Sequence, residues 1–166
     1  MSELPRRKVL RLKGFDYSSP GAYFITVCTK GRRKRLSRID VGTDVLGCPK
    51  NTLLPDGEIA DRQLRQMSDF YAHLKFEKYV IMPNHIHLLL HITEGGPSGT
   101  PVPTASPVAA FVGTFKRLCN KEYGENIWQP RSYDHIIRGE EDYRQIWEYI
   151  DTNVQRWEKD RFYEET

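Results

Sequence analysis

Residues 79–92, YVIMPNHIHLLLHI, set two apolar runs on either side of Pro83-Asn84 and place His85, His87 and His91 in the second run. Pro-Asn is turn chemistry, and the flanking segments KFEKYVIMP and HIHLLLHIT have the short apolar and β-branched character of strands. The stretch predicts an antiparallel hairpin. Alternate side chains of a strand share a face, so His85, His87, Leu89 and His91 project together, with neighbours roughly 6–7 Å apart, while Ile86, Leu88 and Leu90 fill the opposite face. Two imidazoles at that spacing can converge on one divalent ion. Burying them without partners would cost on the order of 1–3 kcal/mol each, and a shared ligand would remove that cost.

Outward from the hairpin, SSPGAYFITVCTKGRRKRL reads as turn residues, a strand over 22–29 and a basic turn. Residues 40–56, with Gly42, Gly47, Pro49 and Pro55, read as a loop, and Ile59, Leu64 and Met67 give 56–71 a helical spacing. After the hairpin, EGGPSGTPVPTASP is a long loop. Ser106-Pro107 then opens a helix that Gly124 ends. SYDHIIR is a fourth short strand, and residues 139–160 place Tyr143, Ile146, Trp147 and Ile150 on one stripe of a final helix with acids in its first turn. The order strand, helix, strand, strand, helix, strand, helix predicts an α+β fold: a ferredoxin-like βαββαβ antiparallel sheet with an added C-terminal helix.

At 166 residues, 39% hydrophobic and 28% charged, the chain fits one globular domain over 1–166 with a basic N-terminal segment reaching to about residue 20. No apolar run approaches the roughly 20 residues of a membrane span, and the start MSELPRRKVLRLKG lacks an apolar signal core, so a cytoplasmic protein with no membrane partner is expected. Cys28, Cys48 and Cys119 show no paired spacing, which argues against a disulfide framework or a zinc knuckle. Net charge is only +3, yet the first 50 residues carry 12 Lys/Arg against 4 acids, leaving the remainder at −5. Such asymmetry points to a polyanion partner for the first third, although a solvated basic tail has the same composition.

Several histidine chemistries do not fit. A histidine-triad hydrolase needs a third histidine where Leu89 stands, a two-histidine phosphoesterase needs two His-x-Thr elements where only 91–93 supplies one, and structural zinc needs four nitrogen or sulfur ligands.

YVIMPNHIHLLL closely resembles the His-hydrophobic-His (HUH) strand of the single-tyrosine transposases, and within them the REP-associated tyrosine transposases. DYSSPGAYFITVCTKGRR resembles their first strand, FVGTFKRLCNK their second helix, and IWQPRSYDHIIRGEEDYRQIWEYIDTN their closing strand and catalytic helix. The resemblance implies that Tyr149 of YIDTN is the nucleophile and that Asn153, four residues on, joins His85 and His87 as a third ligand to Mg²⁺ or Mn²⁺. It implies attack on a DNA phosphate, a 5′-phosphotyrosyl link and a free 3′-hydroxyl, and hence an endonuclease and strand transferase acting on single-stranded, REP-like hairpin DNA with a flanking guide sequence. The site would lie at the nucleoid, in a chain that works as a monomer, with a dimer as the other arrangement seen in simpler members.

The basic clusters Arg6, Arg7, Lys8, Arg11 and Lys13, and Arg32, Arg33, Lys34 and Arg35, are the candidates for DNA backbone contacts. Tyr133 is the competing nucleophile, His135 a structural or DNA-contacting group, and His91 a bystander. Relatives follow the Asn with Pro where Val154 stands here, so the final helix is expected to run on into QRWEKDRFY. Two other functions stay open: a hairpin-binding regulator that has lost cutting, and a metal-dependent phosphodiesterase that uses water.

Overall fold

The structure is a computed structural model and describes residues 20–40, 47–71, 73–93 and 106–163. Its main sheet has four antiparallel strands in the order β4-β5-β1-β6, formed by β1 (Gly21–Cys28), β4 (Leu74–Ile81), β5 (His85–Ile92) and β6 (Tyr133–Ile136). With α1 (Pro55–Phe70) between β1 and β4, α2 (Pro107–Tyr123) between β5 and β6, and α3 (Glu140–Asp151) at the end, this is the α+β, ferredoxin-like arrangement that the element order predicts. No helix among the described residues is long and apolar enough to cross a membrane.

The predicted hairpin is β4 and β5, in register from Ile81 opposite Ile86 to Leu74 opposite Ile92, with an irregularity between Phe76 and Lys78. The period of two in β5 then divides the molecule. Ile86, Leu88 and Leu90, with Tyr23, Ile25 and Val27 of β1, meet Leu64 and Met67 of α1 and Phe111 and Phe115 of α2 in the larger core. The opposite face carries Phe24 and Leu89 against Ile146 and Ile150 of α3. That second face also carries His85 and His87.

Ends of the helices follow their local chemistry. Ser106 accepts from Ala109 N–H to cap α2, Pro107 occupies its first turn, and Gly124 ends it with a left-handed φ of 75°. Three acids in the first turn of α3 suit the positive end of its dipole.

Two expectations fail. The loop read over 40–56 contains a strand, since β2 (Ser37–Asp40) pairs with β3 (Lys50–Leu53) in a separate ribbon; residues 41–46 lie outside the described residues. Four-residue polar strands give too little alternation to register in the sequence. The ribbon is instead held from outside: Asn51 Nδ2 and Ser37 Oγ both donate to the Ile81 carbonyl at the end of β4. The final helix, expected over 139–160, stops at Asp151 even without a following proline. Thr152 returns its N–H and its hydroxyl to the Glu148 carbonyl, and a run of turns and a short 3-10 helix (Trp157–Lys159) follow, with Trp157 and Phe162 packed with Cys28 and Met82. Burying those two rings on the sheet outweighs continuing an exposed helix.

Close approach also fixes Gly57. A Cβ there would stand 1.9 Å from the Leu36 carbonyl oxygen, a backbone atom that also accepts from Leu54 N–H and cannot step aside. Gly57→Ala is therefore expected to lower stability by roughly 3 kcal/mol. A urea melt with a reduced midpoint and unchanged slope checks this.

Candidate active site

His85 and His87 are fully buried, and their Nε2 atoms stand 3.0 Å apart. Strand geometry accounts for the shared face; side-chain partners account for the aim. His85 Nδ1 lies 2.8 Å from Asn84 Oδ1 and His87 Nδ1 lies 2.8 Å from Thr26 Oγ1, Thr26 being the residue opposite His87 on β1. The Asn84 amide is oriented in turn, because its Nδ2 donates to the Phe162 and Arg32 carbonyls. Its oxygen must then accept from His85 Nδ1–H, which leaves His85 Nε2 unprotonated, with its lone pair facing His87 Nε2. This is how outer hydrogen bonds set a ligating imidazole.

Burial holds the His85 imidazole down to about 3, with the charges of Arg161 and Arg32 adding to it. His87 is likewise pushed well below its ordinary value, by burial first, then by His85 and Arg161. Both rings are neutral at pH 7. Neutral imidazoles are ligands and acceptors, not acids.

Tyr149 comes from the last turns of α3. Its hydroxyl lies 3.4 Å from His87 Nε2 and 3.4 Å from Asp160 Oδ2, and its ring meets the Phe24 and His87 rings edge-on. Burial, and next the Asp160 carboxylate, raise its phenol above the usual value. Asn153 lies beyond the end of α3 rather than on the same helical face as Tyr149, yet it is 1% exposed and its Nδ2 donates to Asp160 Oδ2 at 3.3 Å. Its Oδ1 is buried with no partner. The four residues singled out from the sequence for chemistry thus meet at one place.

Asp160 was not among them. One of its oxygens, Oδ1, accepts from Phe162 N–H in a local turn, which points Oδ2 at Tyr149 and Asn153. Together His85, His87 and Asp160 present ligand atoms within 4.8 Å of one another. The fit to a divalent cation rests on three features: two converging nitrogens, a carboxylate, and the orphan amide oxygen of Asn153. Nitrogens about 3 Å apart are also what cis positions on an octahedral ion with bonds of about 2.1 Å require. Asn84 sits inside the decisive stretch and could have been suspected; Asp160, in EKDRFY, carries no signal in the sequence.

Other singled-out residues take different places. Tyr133 is partly exposed on β6, opposite Thr26, so two strand spacings, roughly 10 Å, separate it from His87. His135 binds Asp142 at 2.9 Å and so pins the start of α3 to β6. His91 lies at the far end of β5, 3.7 Å from Glu77. In the basic turn Arg32, Arg33 and Lys34 are exposed, with Arg32 over the Phe162 ring and Lys34 over Tyr163, whereas Arg35 forms ion pairs with Asp56 and Glu125. Arg6, Arg7, Lys8, Arg11 and Lys13 lie outside the described residues.

Neutral buried imidazoles make the metal-free fold sensitive to acid. Because their folded values are depressed, stability is complete above the unfolded value near 6.5 and is lost as pH falls below it, by up to about 1.4 kcal/mol per pH unit for each ring. EDTA-treated protein should show a falling urea midpoint from pH 7 to 5, and His87→Leu a shallower decline.

No protein-family model matches the chain. It is 30% identical over 182 aligned positions to an uncharacterised protein of Haemophilus influenzae, covering 95% of this chain and 93% of that one. It is 32% identical over 75 residues to the REP-associated tyrosine transposase of Escherichia coli, covering 45% of this chain and 41% of that one. Among solved structures, a REP-associated tyrosine transposase bound to a REP hairpin superimposes with a TM-score of 0.62 at 22% identity, covering 95% of this chain and 74% of the other.

Proposed function

For a chain that belongs to one family with the Haemophilus influenzae protein and has the fold of the REP-associated tyrosine transposases, we propose the function of a metal-dependent single-tyrosine DNA endonuclease and strand transferase. Its substrate is single-stranded DNA with a REP-like hairpin, and its intermediate a 5′-phosphotyrosyl link. One observation carries the reading: the Tyr149 hydroxyl stands within 3.4 Å of both His87 Nε2 and the Asp160 carboxylate. The solved relative's REP hairpin supplies the substrate class.

Tyr149 is a protonated phenol at neutral pH, so attack needs a proton acceptor. Asp160 Oδ2 is in place to take that proton. As the Tyr149 oxygen bonds to phosphorus, the bond from phosphorus to the 3′-oxygen breaks, and the proton held by Asp160 passes to the departing 3′-oxygen. The phosphotyrosyl bond keeps the energy of the broken one, so another 3′-hydroxyl can reverse the step and join strands without ATP. Bound Mg²⁺ or Mn²⁺, held by His85, His87 and Asn153 with Asp160 beside them, would stabilise negative charge on the phosphate. Nitrogen ligands favour Mn²⁺ over Mg²⁺. All of these groups come from one chain, which supports action as a monomer. Exposed Arg32, Arg33 and Lys34 and the basic N-terminal cluster would follow the DNA backbone. Such a protein would work at the nucleoid.

Incubation with a labelled REP-like hairpin oligonucleotide and Mn²⁺ is expected to give an SDS-stable adduct that EDTA prevents. Cleavage without an adduct would make water the nucleophile. Hairpin binding without cleavage would leave a regulator.

A further inference from the structure

Arg161 stands over this site without belonging to its ligand set. Arg161 is exposed, and its guanidinium carbon lies 4.7 Å from the centroid of Phe162 and 5.5 Å from that of Tyr133. Those two rings mark opposite borders of the site. Phe162 lies against His85 at 4.5 Å between centroids, whereas Tyr133 stands on β6 in the row that runs through Thr26 to His87. Between them the guanidinium lies on the side of the sheet that carries His87, against which Tyr149 of α3 packs. Its charge reaches both imidazoles and the Tyr149 phenol, adding to burial in holding His85 and His87 low and opposing burial and Asp160 at Tyr149.

Two features make Arg161 more than a surface charge. Among the described residues no carboxylate forms an ion pair with it, in contrast to Arg35, Arg62, Arg65 and Arg144, which all have acid partners. Its neighbours are ring faces, which orient a guanidinium by stacking while leaving its N–H edge available to a planar or tetrahedral oxyanion. Asp160, the preceding residue, is tied to Tyr149 and Asn153, so the backbone that carries Arg161 is registered on the site.

We propose that Arg161 binds a non-bridging oxygen of the phosphodiester that Tyr149 attacks, with Tyr133 and Phe162 as the aromatic walls that hold its guanidinium in place. Arg161 makes and breaks no bond; it supplies a fixed positive charge where negative charge grows during attack. Tyr133 acquires a positioning role that needs its ring and not its hydroxyl. The inference rests on the DNA-cleaving reading of the site, and two separate measurements keep the two apart.

The first uses a minimal phosphodiester, dithymidine monophosphate, titrated at millimolar concentration into the ¹⁵N-labelled full chain. A saturable shift of the Arg161 Nε–H resonance is expected, with binding at least several-fold weaker in Arg161→Ala. No shift, or equal binding by the variant, would overturn the proposal whatever the protein does to DNA. The second follows single-turnover adduct formation on the hairpin with Mn²⁺. Arg161→Ala should slow it about 10- to 100-fold while the hairpin Kd changes less than about threefold, Arg161→Lys should recover much of the rate, and Tyr133→Leu should slow it where Tyr133→Phe does not. Equal losses in Kd and rate would mean a general backbone contact and would sink the proposal, as would an unchanged rate in Arg161→Ala. Phosphodiester binding through Arg161 without any adduct in the wild type would retain the phosphate contact and dismiss the cleaving function.

Discussion

Tyr149→Phe is expected to reduce adduct formation on a hairpin oligonucleotide by more than about 1,000-fold, since the substitution deletes the one atom that would bond to phosphorus. The geometry makes the test unusually clean. The ring's packing against Phe24 and His87 survives in Phe, and the lost hydroxyl contacts are both long at 3.4 Å, so stability should change little. Hairpin affinity and Mn²⁺ affinity should stay near wild type, which separates a chemical defect from a folding defect. Tyr133→Phe is the control, because Tyr133 stands two strands away from His87, against the guanidinium of Arg161. An adduct that persists in Tyr149→Phe and vanishes in Tyr133→Phe would reverse the assignment of the nucleophile.

What the sequence revealed and what it hid divide along a physical line. The hairpin was legible because Pro83-Asn84 breaks two apolar runs of strand length, and because period-two alternation in β5 fixes which residues share a face. The resemblance to REP-associated tyrosine transposases was legible because its motifs surround those same elements, and similarity in fold and in sequence to members of that family bears it out. The β2-β3 ribbon was hidden because its stability comes from side chains reaching the Ile81 carbonyl, a long-range contact with no local pattern. The end of α3 is hidden for a related reason. Its termination depends on where Trp157 and Phe162 find a surface to bury, and that surface is Cys28 and Met82, far away in sequence. Asp160 was invisible on both counts, for it reaches Tyr149 only because the helix ends early.

Mn²⁺ affinity should fall by about 100-fold or more in His85→Ala and in His87→Ala, measured by calorimetry on the folded variants. Each substitution would remove one of the two nitrogen ligands of the proposed site, which has few others. Asn84→Ala gives a subtler test of the same centre. Asn84 touches no metal position; it fixes the His85 ring by accepting from Nδ1–H while its amide donates to the Phe162 and Arg32 carbonyls. Losing an outer partner of this kind costs about 10- to 100-fold in metal affinity, a loss that a merely adjacent residue would not produce. Asn153→Ala and Asp160→Asn then decide the remaining oxygen ligands. Asn153 Oδ1 is the buried acceptor without a partner, so Asn153→Ala should weaken Mn²⁺ binding by far more than the loss of its long Nδ2 contact to Asp160 weakens the metal-free fold, an imbalance that a purely structural amide would not give. If Asp160→Asn leaves Mn²⁺ affinity intact but slows adduct formation, Asp160 works on the Tyr149 proton; if affinity falls in step with rate, the carboxylate is a ligand. Wild-type Mn²⁺ binding in both histidine variants would place the cation elsewhere and remove the basis for a metal site at this face of the sheet.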